Sequence, residues 1–256
     1  MPSLLAMAAI ALVGAAAVGM GEAARAEAAA KQPRADLLVF THTVGFRHDS
    51  IPAGMAAVKR IGKQSRLRVV ATEKASAFRS KTLKRFETVV FLNTTGDVLP
   101  PAREKALKRF IRRGGGFAGV HAAADTEHTW PFYGSLLGAR FASHPAIQPA
   151  SIDVADPAHP STRGLPTRWT RTDEWYDFSS NPRSTAHVLL SLDESTYSGG
   201  TMGADHPIAW CRRLNDGRSW YTALGHTSES FAEPLFLSHL RGGILWAAGL
   251  AKASCR

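Results

Sequence analysis

The stretch that decides the fold runs from Thr88-Val89-Val90-Phe91-Leu92, through Pro100-Pro101 and the basic segment after it, to Gly114-Gly115-Gly116-Phe117-Ala118-Gly119-Val120-His121. Thr88 to Leu92, apolar after its first residue, reads as a short strand. Pro100-Pro101 can open a helix without cost, because first-turn amides have no intrahelical acceptor. Ala106, Leu107, Phe110 and Ile111 then share one face of a 3.6-residue period. Three glycines stop the helix, and Phe117 to Val120 is the next strand. A strand, a helix and a strand in quick succession close as a right-handed crossover onto a parallel sheet.

The same grammar extends outward. Asp36 to Phe40 is a buried-strand run followed by a polar loop, Thr41 to Ser50; Ile51 to Gln64 has helical spacing through Met55, Val58 and Ile61, and Leu67 to Ala71 is a further strand. The later half changes character. Ile152 to Val154, Ala186 to Leu190, Ile208 to Cys211 and Ser219 to Leu224 are short strands with no long helix between them, predicting antiparallel additions at an edge of the sheet. Pro234 to Ala248 is a closing helix. No repeat or composition break divides residues 36–250, so the reading is one α/β domain, a mostly parallel sheet in a three-layer sandwich.

Ser3 to Met20 is almost wholly Leu, Ile, Val, Ala, Met and Gly, and Ala24-Arg25-Ala26 has the small-x-small form accepted by signal peptidase. The expectation is a signal peptide over residues 1–26, a flexible leader over 27–35, and a secreted or periplasmic protein. A retained membrane anchor is the alternative, the run being near the length of a span. The net charge of +10 is concentrated between Lys59 and Arg113. No groove-entering motif or interleaved aromatics accompany it, so it reads as solvated helix faces, not a nucleic-acid surface. Cys211 and Cys255 are the two cysteines. An oxidising compartment permits a bridge between them, and two free thiols are the other reading; no Cys-x-x-Cys zinc or redox motif exists.

In a doubly wound sheet, ligands bind beyond the carboxyl ends of the parallel strands. Three polar clusters follow such ends: Thr41-His42-Thr43-Val44-Gly45-Phe46-Arg47-His48, Asn93-Thr94-Thr95-Gly96-Asp97, and His121 with Asp125 four residues on. Gly119-Val120-His121-Ala122-Ala123 has the form of a nucleophile elbow with His at its centre. Without Ser or Cys there, an acyl-enzyme route lacks its nucleophile. Gly114-Gly115-Gly116 precedes its strand, whereas a dinucleotide phosphate loop would follow one.

The motifs Thr43-x-Gly45-Phe46-Arg47-His48, Gly114-Gly115-Gly116-Phe117-x-Gly119-x-His121, Gly138-x-x-Phe141-x-x-His144-Pro145, Asp173-Glu174-Trp175-Tyr176 and Gly225-His226-Thr227 occur in an order that resembles the ThuA-like, or trehalose-utilisation, family. The resemblance spans nearly all of residues 36–249. It implies a class I glutamine-amidotransferase-like, flavodoxin-like fold without the amidotransferase cysteine, and a role in disaccharide use in which 3-keto sugars are implicated. In such a fold the elbow residue faces a His that follows a late strand, so His121 should approach His226; Glu229, three residues after His226, is misplaced for a triad acid. Two close imidazoles disfavour double protonation, so both are expected neutral.

The catalytic candidates are His121, His226, Glu174 and Asp125. A divalent ion such as zinc is the cofactor expectation, on His121, His226 and Glu174. His48, Arg47, Thr94, Trp175 and His144 are the substrate-binding candidates, His48 having hydrogen bonding within its loop as an alternative role. Trp175, beside Glu174 in a loop, is the tryptophan expected to face a sugar; Trp130, Trp210 and Trp220 at strand positions read as core, and His206-Pro207 as a turn. The expected partner is a small-molecule carbohydrate, with no nucleic acid, no membrane once the signal is removed, and a homo-oligomer left open. Three functions follow: a carbohydrate enzyme working by His-based acid/base or metal-assisted chemistry, a non-catalytic envelope sugar binder, or an amidotransferase relative with Cys211 displaced. The last is disfavoured because Cys211 lies within a strand pattern.

Overall fold

The computed structural model describes residues 35–255. The signal peptide and nearly all of the leader fall outside the described residues; Ala35, placed at the leader's end, is the first residue of the first strand. In chain order the elements are β1 (Ala35–Phe40), α1 (Ile51–Ser65), β2 (Leu67–Thr72), α2 (Ser80–Leu83), β3 (Thr88–Leu92), α3 (Pro101–Arg112), β4 (Gly116–Val120), α4 (Pro131–Leu137), β5 (Phe141–Ser143), β6 (Gln148–Val154), β7 (Arg168–Asp173), β8 (Asp177–Phe178), β9 (His187–Asp193), β10 (His206–Leu214), β11 (Gly217–Thr222) and α5 (Pro234–Ala247). The main sheet has nine strands in the order β2-β1-β3-β4-β11-β10-β9-β6-β7, and β5 pairs with β8 separately.

The α/β reading with a parallel core holds: β1, β2, β3, β4 and β11 run parallel, and β3 pairs with β4 over their full apolar runs. Every residue of β3 and β4 is buried, as strands covered by helices on both faces must be. The late strands divide. β6, β9 and β10 are antiparallel additions as expected, and β7, which the sequence reading does not mark as a strand, joins them at the edge. The strand read at Ser219 to Leu224 is not an edge addition: it is β11, central and parallel to β4. An apolar run states burial but not neighbours, and β11 reaches its place through a tight hairpin from β10 at Asn215-Asp216. His206 and Pro207 likewise begin β10 and do not form a turn.

β7 is an edge strand whose residues alternate outward and inward, with Trp169, Arg171 and Asp173 buried. Tracing the pairings outward from β11, β7 has the same direction as the parallel strands, so its carboxyl end points to the same side of the sheet. In a flat sheet, four strand spacings would hold β7 roughly 19 Å from β11. Instead Gly225 N–H, just past β11, donates to Asp173 Oδ2 at 2.8 Å. The antiparallel half therefore curls back over the carboxyl ends of the parallel half. Cys211 and Cys255 form a disulfide, with Cα atoms 5.7 Å apart, that ties the chain after α5 to β10. No helix among the described residues is long and apolar enough to cross a membrane.

Candidate functional site

β4 ends at Val120, and His121 follows it with φ +46°, the left-handed conformation a nucleophile elbow imposes. Two backbone acceptors fix the region: His121 Nδ1 lies 2.6 Å from Ala223 O, and Tyr221 Oη donates to His121 O at 2.9 Å. A carbonyl only accepts, so Nδ1 carries a proton, and Nε2 presents a lone pair whenever the ring holds that proton alone. That lone pair faces His226 Nδ1 at 3.1 Å and Glu174 Oε2 at 3.3 Å, while His226 Nδ1 lies 3.0 Å from the same oxygen. Tyr176 covers the other side of the His121 ring at 4.1 Å between centroids.

His226 is placed by backbone geometry. Gly225 before it has φ +107°, and a Cβ there would meet Phe236, Phe231 and Val120 at 3.1 to 3.2 Å. Asp173 holds the turn from the other side: its carboxylate accepts from the amides of Gly225, His226 and Glu174, and it is itself paired with buried Arg171. One carboxylate thus sets the backbone of both Glu174 and His226. Asn93, after β3, also has positive φ and donates to Ser50 Oγ at 2.9 Å and Gly225 O at 3.1 Å, joining the start of α1 to the same turn.

His48 arrives from the loop after β1. Its ring makes edge contacts of 5.0 Å with both His121 and His226, and its Nδ1 is buried without a hydrogen-bond partner. One ligand atom from each of His48, His121, Glu174 and His226 lies within 4.8 Å of every other. Ligands on bonds of ~2.0–2.1 Å at tetrahedral angles stand about 3.3 Å apart. The separations of 3.1, 3.3 and 3.0 Å among His121, Glu174 and His226 match that edge length, and the His121 Nδ1 proton bound to a carbonyl is the outer support a ligating imidazole requires. Three imidazoles and a carboxylate therefore fit a divalent ion.

The electrostatics refine the expectation that His121 and His226 are both neutral. Burial and the neighbouring His121 and His226 push His48 down to about 3, leaving a neutral ring. Burial also opposes charge on His226, but its hydrogen bond to Glu174 outweighs this and raises it above the ordinary value. Glu174 is itself opposed by burial yet held well below the usual carboxylate range by His121 and His226. In the metal-free protein, a proton on His226 Nδ1 sits where a cation would otherwise stand.

His144 lies at the rim, its Nδ1 3.1 Å from Glu174 Oε1 and 2.9 Å from Pro145 O, with its side chain 42% exposed. Both neighbours accept, so Nδ1 carries a proton and Nε2 is the ring nitrogen left without either of these partners. The remaining candidates stand apart. Asp125 pairs with His128 at 2.9 Å, so Glu174 and not Asp125 is the carboxylate on His121. Thr94 is fully buried and exchanges hydrogen bonds with Thr126. Arg47 points to Glu73 at the surface. Trp175 offers no face to a sugar, being fully buried with its indole N–H on Gln148 O. Asp173 and Tyr176 carry no individual role in the sequence reading, although both stand in one of its motifs; the buried inward position of Asp173 beside Arg171 is the signal for it.

The family model described as trehalose utilisation, ThuA, matches residues 36–247. The chain belongs to the ThuA family. Among solved structures, this ThuA-family chain resembles a ThuA-like protein from Bacteroides uniformis, with 26% identity and TM-score 0.73, covering 85% of this chain and 92% of that one. A ThuA-like protein from Parabacteroides merdae follows, with 21% identity and TM-score 0.72 over 85% and 90% of the two chains. A β-galactosidase from Bacillus circulans shares the fold at 13% identity and TM-score 0.57, over 85% of this chain and 31% of that one. No curated protein compared with this ThuA-family chain matches it.

Proposed function

We propose that this protein acts on a carbohydrate, a keto-sugar or disaccharide derivative, at a divalent-metal centre formed by His48, His121, Glu174 and His226. The observation that carries this reading is the convergence of those four side chains at the strand ends, with a buried, unpartnered His48 nitrogen among them. When bound, a divalent ion supplies polarisation of a substrate oxygen. The chain's own residues do the rest. Glu174 holds His226 and His144 through its two oxygens, and His144 Nε2 at the exposed rim can take a proton from carbon or oxygen of a bound sugar. Such acid/base chemistry beside a carbonyl needs no thiol or hydroxyl nucleophile, and the elbow has none. The family description supports a sugar substrate.

Action in an oxidising compartment outside the cytoplasm accords with the apolar leader sequence and with the Cys211–Cys255 bridge. The test is metal analysis of the purified protein, joined to turnover of 3-keto-trehalose. The expected result is about one divalent ion per chain, and turnover lost on His121→Ala and on His226→Ala. If both variants keep full turnover, the assignment is wrong. Saturable sugar binding with no product, unaffected by chelator, would mark a non-catalytic binder instead.

A further inference from the structure

A sugar at this site needs an apolar surface on which a ring can lie, and the tryptophans do not supply it. All six are buried, the most exposed being Trp130 at 9%. Phe46, at 67%, is the one exposed Phe, Tyr or Trp among the described residues. Its exposure is not a loose end of chain. Thr95 O accepts from Val44 N–H at 2.8 Å, Thr95 Oγ1 donates to Phe46 O at 2.8 Å, and Arg47 beside it is tied to Glu73. Gly45 lets this loop close on Thr95, since a Cβ there would lie 3.3 Å from Thr95 Oγ1. A pinned backbone thus presents a bare phenyl ring, with Val44 exposed next to it.

The ring is also next to the cluster. Phe46 makes an edge contact with His48 at 4.9 Å, and His48 makes one with His121 at 5.0 Å. A ring engaged at the cluster lies over His121 and His226, and Phe46 stands one aromatic step further out. Pyranose faces carry C–H groups, which stack on an aromatic ring without stripping the hydroxyls at the ring edge of their hydrogen bonds.

Building on the carbohydrate reading above, we propose that Phe46 is the stacking platform for a second sugar ring, so that the ligand is a disaccharide or similar glycoside spanning the cluster and Phe46. Because the side chain is exposed, its replacement leaves the fold intact. Calorimetry with trehalose and with glucose, on the wild type, Phe46→Ala and Phe46→Trp, tests this. Expected are tighter binding of trehalose than of glucose by the wild type, an approximately tenfold loss for trehalose in Phe46→Ala, glucose affinity unchanged in that variant, and recovery in Phe46→Trp. Trehalose affinity kept within about twofold in Phe46→Ala, or an equal loss for both sugars, overturns the inference while leaving the carbohydrate reading standing. If the wild type binds neither sugar, the inference falls, while turnover of 3-keto-trehalose decides the carbohydrate reading separately.

Discussion

Replacing Asp173 by Asn keeps the shape of the side chain and removes its charge, and the cost can be worked from its contacts. Oδ1 accepts from Glu174 N–H at 3.0 Å and His226 N–H at 3.1 Å; Oδ2 accepts from Gly225 N–H at 2.8 Å, from Arg171, and from Ser230 Oγ at 3.4 Å. An amide has one oxygen, so whichever way it turns, at least two donors lose their acceptor and face an NH2 group. Each buried donor left unpaired costs about 1–3 kcal/mol. Arg171, its side chain 4% exposed, keeps Glu233 but loses its closer anion. The total is on the order of 3–5 kcal/mol, the usual cost of breaking a buried ion pair. For a domain of this size that is a fall in Tm of roughly 10 °C. Urea unfolding of Asp173→Asn should show a lower midpoint at unchanged slope. Arg171→Met/Asp173→Asn should lose less than the sum of the single changes, because the pair leaves together. A single-variant loss below about 1 kcal/mol would refute the view that this carboxylate fastens the His226 turn.

Three further outcomes follow from the same geometry. In chelator-treated protein, the His226 imidazole should titrate above 6.5 by NMR and fall in Glu174→Gln; its contribution to stability is complete below pH 6.5 and fades as the pH rises through the raised folded value, and titration below 6.5 in the wild type would contradict the ion pair. Burial pushes Glu127 up to about 7 although Val98 and Leu99 amides donate to it, so the folded state favours the protonated carboxyl and loses stability as pH climbs from ~4.5 through 7. Glu127→Gln should therefore match the wild type near pH 5 and exceed it at pH 8 in thermal melts, and identical pH profiles would count against this. Cys255→Ser opens a bridge spanning 44 residues and should cost about 4 kcal/mol by loop entropy, read as a lower urea midpoint that the reduced wild type shares.

What the chain discloses before folding depends on which force sets each feature. β1, β3 and β4 are legible because burial on both faces makes them almost wholly apolar, with Asp36 and Thr88 near the strand starts as the polar exceptions. β7 is hidden because two of its inward positions are filled by an ion pair: Arg171 and Asp173 read as surface residues, and their partners lie at Glu233, Ser230 and Gly225. The meeting of His121 with His226 is legible from two strand ends and the family resemblance, since parallel neighbours deliver their following residues to one side. The place of Glu174 in that meeting is firmer than its motif suggests, because it needs the curl that brings β7 back. Trp175 misleads for the same reason: the curl that exposes Glu174 to the cluster turns the next side chain into the core, against Tyr197.

The elbow itself carries the last step. A non-glycine residue at positive φ costs about 1–3 kcal/mol and persists only where its surroundings over-determine it. Around His121 they do: Ala223 O fixes one ring nitrogen, Tyr221 holds the backbone carbonyl, and Tyr176 lies against the ring. What this strain secures is a single lone pair aimed at His226 and Glu174, in the position where a hydrolase of the same shape would aim an oxygen or sulfur. A packing role would need no such aim, since an alanine or leucine on an unstrained turn fills space as well. A fixed imidazole lone pair facing a carboxylate and another imidazole is stable only with a cation between them, either a proton on His226 or a metal ion. The metal analysis and the His226 titration observe these two occupants separately. The strained turn is thus built to hold a positive charge at one point, and the sugar chemistry proposed here is chemistry conducted around that charge.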